Sequence, residues 1–187
     1  MLTNVALSAF ELRTPDLTLR DFVPEDEAAF VEWAAHREMY QYMAWRLGSA
    51  AEATAEFHRL LGHPERTSAR RSHWYLAVVE SHGRFGGMAG FDQRRDGLGE
   101  FGWYLAPAFW GRGYATAITA LFLRFGFEAL EVPAITATCD PDNVASRRVL
   151  EKSGLLPFGE ETVATSRGDR PRLRFIITSN EWRRLCV

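Results

Sequence analysis

A strand, a glycine-flanked turn and a long apolar helix follow one another without a break from Glu100 to Phe127, EFGWYLAPAFWGRGYATAITALFLRFGF, and this stretch constrains the fold more than any other. Glu100 to Ala106 has the aromatic content and alternation of a strand, and Pro107 stops it. Gly111, Arg112, Gly113, Tyr114 and Ala115 then open a helix expected to run to Leu130. The first N–H groups of a helix have no intrahelical acceptor, and the helix dipole adds partial positive charge at the same end. Gly111 and Gly113 have no side chains to hold an anion off the backbone, and Arg112 adds a full charge. Such a turn is built for a phosphate. The helix is apolar nearly all round, with one polar stripe along Ala117, Ala120, Arg124 and Glu128, so it is expected to lie deep against a sheet.

Two familiar nucleotide sites are excluded. A nucleotide P-loop needs Gly-Lys-Ser/Thr, which is absent, and a dinucleotide turn needs a third glycine where Thr116 stands. The literal GxGxxG at Gly97, Gly99 and Gly102 runs into a strand instead of out of one into a helix, so its context is wrong.

The remaining chain reads as one domain, with residues 1–11 as a short extension and 12–187 as the folded unit. A formal charge of −2 implies no general attraction to nucleic acid or to a membrane surface. No apolar run approaches the roughly 18 residues of a membrane span, and the first residues lack a signal-peptide pattern. Cys139 and Cys186 do not make a disulfide framework, which fits a reducing, cytoplasmic setting. The five histidines have no metal-ligand spacing, so no metal is expected. Strands are expected at Leu17–Phe22, Trp74–Glu80, Phe85–Phe91, Glu100–Ala106, Ala134–Asp140, Leu156–Val163 and Arg172–Thr178, with a loop at Thr165–Pro171. Helices are expected after Pro24, from Ser49 through Leu61 with a Ser49/Glu52 capping box, from Gly111 to Leu130, and from Asp142 or Pro141 to Gly154. Interleaved strands and helices with hairpins argue for an α/β arrangement: a mixed sheet with helices on both faces. The aromatic cluster Tyr40, Tyr42 and Trp45 suits either the core or the wall of a substrate site.

A second block, Asn143-Val144-Ala145-Ser146-Arg147-Arg148-Val149-Leu150-Glu151-Lys152-Ser153-Gly154-Leu155, follows the strand that ends near Asp140. Together with Trp110 to Ala115 it resembles the Gcn5-related N-acetyltransferase (GNAT) family, and within it the branch that acetylates ribosomal-protein N termini (RimJ/RimL type). That branch reads like WGxGYA in the first block and NxxSxxxLEKxGF in the second. The resemblance implies a mostly antiparallel twisted sheet, splayed between its fourth and fifth strands. It implies acetyl-CoA as co-substrate, with pyrophosphate on the backbone at Gly111, Arg112, Gly113, Tyr114, Ala115 and Thr116 and pantetheine along Trp103, Tyr104 and Leu105. It also places Asn143 and Ser146 at the reaction site, although these residue types equally suit the start of a helix.

The acetyl group would pass to an amine by direct attack, the acceptor being a protein N terminus or, alternatively, a small amine such as an aminoglycoside or polyamine. A CoA-binding module without activity is a further alternative, and monomer and homodimer both stay open. Two positions depart from the family pattern. Leu150 occupies the place of the tyrosine that many members use to protonate the leaving thiolate, and Ala117 stands where the branch usually has glutamate. For the proton of the incoming amine, Glu100 is the only acid on the pantetheine strand, and alternation puts Glu100, Gly102 and Tyr104 on one face. Gly102 leaves space for an amine, and surrounding aromatics are expected to desolvate Glu100 in part. Asp92 and His73, on neighbouring strands, are lesser candidates.

Overall fold

The computed structural model describes residues 10–68, 70–165 and 168–185. Among these residues eight strands form one sheet: β1 (Glu11–Arg13), β2 (Leu17–Asp21), β3 (His73–Glu80), β4 (Phe85–Gln93), β5 (Gly99–Leu105), β6 (Ala134–Cys139), β7 (Leu156–Thr165) and β8 (Gly168–Thr178). They lie in the order β1-β2-β3-β4-β5-β6-β8-β7. Every neighbouring pair is antiparallel except β5 and β6, which run parallel and pair only at Gly99–Ile135 and Glu100–Thr136. The helices are α1 (Glu27–Ala34), α2 (Ala50–Leu61), α3 (Tyr114–Arg124), α4 (Val144–Lys152) and α5 (Ser179–Leu185).

Helices cover both faces, as the interleaved pattern predicts. On one face Phe91 and Phe101 meet Phe122 of α3 at 5.7 and 5.9 Å between ring centres. On the other, Phe30 of α1 and Phe57 of α2 pack 5.6 Å apart and both contact Phe22. A bulge between Val78 and Val79 opposite Gly86 turns Phe85 toward that second cluster. No helix among the described residues is long and apolar enough to cross a membrane.

Four local expectations change. Of the expected extension, residues 1–9 lie outside the described residues, but Glu11 begins the sheet edge and Phe10 packs 5.0 Å from Phe125. That added strand makes the splay fall between β5 and β6, the fourth and fifth strands counted from Leu17. The helix from Tyr114 changes at Phe125 into a wider π-type turn, Phe125–Ala129. Gly126 passes so close to Ile135 and Phe91 that a Cβ there would sit 2.7 Å from Ile135. The wider turn sends Phe125 toward Trp74 and Phe127 toward Trp182. The polar stripe of α3 is exposed at Ala120, Arg124 and Glu128, whereas Ala117 is half-buried and Thr116 exposed.

Residues 166–167 of the expected 165–171 loop lie outside the described residues, and Gly168–Pro171 belong to β8, paired with β7. Pro171 fits because β6 reaches only as far as Leu173, so β8 has one neighbour there and no second ladder N–H is needed. Helix α5 was missed. Its signal is Thr178-x-x-Glu181, a capping box in which Thr178 N donates to Glu181 at 2.8 Å and Glu181 N to Thr178 Oγ1 at 3.3 Å.

Gly86 seats the buried Phe109 ring, since a Cβ there would lie 2.1 Å from it. Gly86→Ala is expected to destabilise the protein by about 1–3 kcal/mol, the usual cost of overpacking, measured as a lower urea midpoint at unchanged slope.

Candidate active site

The parting of β5 from β6 opens a cleft of about 520 Å³. Its walls are Phe101 to Leu105 on one side and Ala137 to Cys139 on the other; the start of α3 and the first turns of α4 close its ends, and the segment around Tyr42 borders it. Every sequence-predicted cofactor residue except Arg112 lines this cleft: Trp103, Tyr104, Leu105, Gly111, Gly113, Tyr114, Ala115, Thr116 and Asn143, together with Ser146.

The turn into α3 is shaped for close approach. Gly111 and Gly113 have φ of 71° and 80°, a left-handed backbone that favours glycine, and among the described residues nothing lies within 4 Å of where their Cβ atoms would be. Gly113 is the N-cap and offers no side-chain oxygen, so the first N–H groups of α3 are left for another acceptor. Behind the turn Trp110 Nε1 donates to Leu105 O at 2.8 Å, tying the turn to the end of β5 although the ring is 51% exposed.

Arg112 points elsewhere than the sequence suggests. Its guanidinium lies 2.7 Å from Glu80, whose side chain is 1% exposed, and above the rings of Tyr114 and Phe109. Tyr114 donates its hydroxyl to the same carboxylate at 2.6 Å, and His82 lies 3.1 Å from it. The expected free positive charge at the turn is therefore largely spent on Glu80, and anion attraction falls to the backbone. The Tyr114 hydrogen bond, then Arg112 and His82, hold the Glu80 carboxyl below its ordinary value against the opposing effect of burial.

In the second block Asn143 caps α4, its Oδ1 accepting from Ser146 N at 3.0 Å, and both residues also line the cleft. Capping and cleft positions thus coexist. Leu150 is buried against the cleft and leaves it without the tyrosine of the family pattern. Burial pushes the Cys139 thiol, on the cleft wall, up to about 11.

A second cleft, about 400 Å³, lies on the α2 face of β5 and shares Phe101, Gly102, Tyr104 and Thr138 with the first. Glu100 and Asp92 both line it and face each other across the β4–β5 ladder. Gly102 does leave open space, with nothing among the described residues within 4 Å of its absent Cβ. Glu100 is partly desolvated, as expected, with its side chain 36% exposed, but its carboxylate accepts from Arg94 at 2.6 Å. Arg94 reaches it from the turn before β5, which strand alternation could not reveal. His73 is held by Glu65 at 3.1 Å. Trp45 packs 5.3 Å from Tyr104 in the second cleft, Tyr42 lines the first, and Tyr40 is core.

The sequence model described as the acetyltransferase (GNAT) domain matches residues 16–156, a span that holds the strand, the glycine turn and the second block. The chain belongs to the GNAT acetyltransferase family. Within that family it is 31% identical over 85 residues to the uncharacterized N-acetyltransferase YnaD of Bacillus subtilis, covering 44% of this chain and 50% of YnaD. The uncharacterized N-acetyltransferase p20 of Bacillus licheniformis is 24% identical over 78% of this chain and 84% of its own length. The alignments thus span from about half to most of the relatives' length. Mycobacterium smegmatis RimJ, solved in complex with CoA-disulfide, superposes with a TM-score of 0.78 at 22% identity, over 92% of this chain and 88% of that one. This is a likeness of fold.

Reading the GNAT sequence alone missed Glu80 and Arg172. Arg172 is a buried side chain on β8 that lines the first cleft 3.9 Å from Asp140. Both are far in sequence from the motif blocks, and only an acidic residue closing an otherwise apolar strand hinted at Glu80.

Glu80→Gln is expected to lower stability at neutral pH by about 1.5–3 kcal/mol, the range for hydrogen bonds to a charged group. Because the folded carboxyl titrates below its ordinary 4.5, its contribution is present above that value and lost as pH falls through the lower folded one. The gap between wild type and variant in urea titrations should therefore shrink on acidification.

Proposed function

We propose that this chain is an acetyl-CoA-dependent N-acetyltransferase acting on a primary amine, with a protein N-terminal amine as the acceptor. The observation that carries the reading is the first cleft, where a parted strand pair meets an uncapped glycine turn at a helix start. The residues fit the cofactor. Open space at Gly111 and Gly113 admits a pyrophosphate to the N–H groups of Tyr114, Ala115 and Thr116. The side of β5 turned away from β4, at Trp103 to Leu105, supplies backbone donors and acceptors of the kind two pantetheine amides need.

Acetyl-CoA, when bound, supplies an activated acetyl thioester. The chain's own part is to hold that ester at the junction near Gly102 and Thr138, where the second cleft meets the first. An amine entering through the second cleft reaches the carbonyl carbon directly, and a backbone N–H of β5 can donate to the developing oxyanion. The two motif blocks support the N-terminal acceptor. The modest size and acidic lining of the second cleft favour a small cationic amine as the competing reading.

Gly113→Val forces a branched side chain into a left-handed backbone, a strain of about 1–2 kcal/mol, and blocks the turn. Calorimetry should show acetyl-CoA affinity falling roughly tenfold or more, about 1.4 kcal/mol, in a folded protein; unchanged affinity would remove the pyrophosphate from this turn. Asn143→Ala should lose about 0.5–2 kcal/mol of stability as a cap and, beyond that, turnover. Full activity in a less stable variant would leave Asn143 as a cap alone.

A further inference from the structure

The floor of the second cleft is bare backbone. Gly90 of β4 faces Gly102 of β5 across the ladder, with Asp92 and Glu100 paired on one side and Met88 and Tyr104 on the other. Among the described residues nothing lies within 4 Å of the absent Cβ of Gly102, and a Cβ at Gly90 would make only ordinary contact, 3.5 Å from Trp74 O and 3.8 Å from the Tyr75 ring. An amine chain can therefore lie across the two glycines, between an acidic pair and an aromatic wall of Tyr104 and Trp45, with its nitrogen at the edge shared with the first cleft.

The two acids of that pair differ. Glu100 is committed to Arg94, which donates to its carboxylate at 2.6 Å. Asp92 has no such partner: its Oδ1 is buried and makes no hydrogen bond among the described residues. An ionised oxygen left unsatisfied in a buried position is destabilising, and natural sites tolerate it where a ligand or a proton completes it. We propose that the second cleft receives the acceptor and that Asp92, in place of Glu100, takes the proton from its ammonium group. The inference rests on the acetyltransferase reading above.

The charged surroundings agree. Burial pushes the Asp92 carboxyl up; His73 opposes this, and Glu100 and Glu65 reinforce it. Those groups come from β3, β5 and the turn before β3. From α2, Glu56 and Arg59 border the same cleft but neutralise each other at 2.6 Å, and Tyr75 completes the β3 side. A carboxylate so placed holds a proton more readily than one in water, which suits a base for an amine.

The ammonium R–NH3+ gives one proton to the Asp92 carboxylate, and the freed nitrogen lone pair forms a C–N bond to the thioester carbon. As the carbonyl re-forms, the C–S bond breaks with its electron pair on sulfur. The second nitrogen proton passes to the thiolate directly or through water, giving R–NH–COCH3 and CoA thiol, and Asp92 returns its proton to solvent.

The test compares wild type, Asp92→Asn and Glu100→Gln, each checked for a native thermal transition. Three acceptors are used: spermidine, 2-phenylethylamine and a short peptide with a free α-amine. Acetyl-CoA affinity is read by calorimetry, and the Asp92 carboxyl is titrated by carbon NMR in the cofactor-free protein. Asp92→Asn should lose 10²–10⁴-fold in kcat near neutrality, with acetyl-CoA affinity unchanged. The loss should shrink as pH rises toward the amine's own pKa, where the acceptor arrives deprotonated. Glu100→Gln should lose less than roughly tenfold, short of a positioned base, and the Asp92 carboxyl should titrate above the ordinary aspartate range.

Wild-type kcat and an unchanged pH profile in Asp92→Asn overturn the assignment. So does an ordinary Asp92 titration, or a wild type that binds acetyl-CoA yet acetylates none of the three amines. A wild type that fails to bind acetyl-CoA strikes the acetyltransferase reading itself, and this inference with it.

Discussion

Strand β5 pairs with β4 along its whole length but with β6 only at Gly99 and Glu100. Beyond that point its second row of backbone groups looks into a cleft. An unpaired buried backbone group is destabilising by about 1–3 kcal/mol, so a sheet does not part there without support on both sides. Strand β6 is held by β8 over six residue pairs, and Thr136 Oγ1 reaches across to Gly99 O at 3.1 Å where the two strands still meet. The stacked rings of Phe101 and Trp103, with Phe101 against Phe122, fix the other wall. What remains is a slot whose backbone groups call for an amide-bearing ligand or water.

The helix that closes one end of the slot is anchored from beneath. Glu80, at the end of β3, grips both Arg112 and Tyr114, the residues on either side of Gly113. A glycine turn is entropically free in the unfolded chain, and this carboxylate compensates by tying it down at two points. Arg112 is thereby withdrawn from the anion it would otherwise meet. Affinity for a phosphate then depends on backbone geometry more than on net charge, and should respond weakly to salt.

Much of this arrangement was legible in the sequence. The order of strands and helices, the glycine turn and the second block all lie in contiguous stretches whose periodicity or local chemistry is visible, and the structure puts Trp103 to Leu105, Gly111, Gly113 to Thr116, Asn143 and Ser146 around one cleft. What escaped depends on contacts between distant residues. Arg94 on Glu100 comes from a turn whose side-chain directions the sequence does not reveal. Glu80 meets Arg112 and Tyr114 only because β3 ends beneath the start of α3. The π-type turn at Phe125 reflects the close passage of Gly126 over Phe91 and Ile135, a packing constraint with no local signature.

Amide hydrogen exchange with and without acetyl-CoA reads the unpaired backbone of β5 and the first turn of α3 directly. Bound acetyl-CoA should add protection at cleft-facing amides of Trp103 to Leu105 and at the first amides of α3, Tyr114 to Thr116, with little change along β1 and β2. Exchange unaltered at both places under saturating acetyl-CoA, or protection confined to the far side of the sheet, would contradict it.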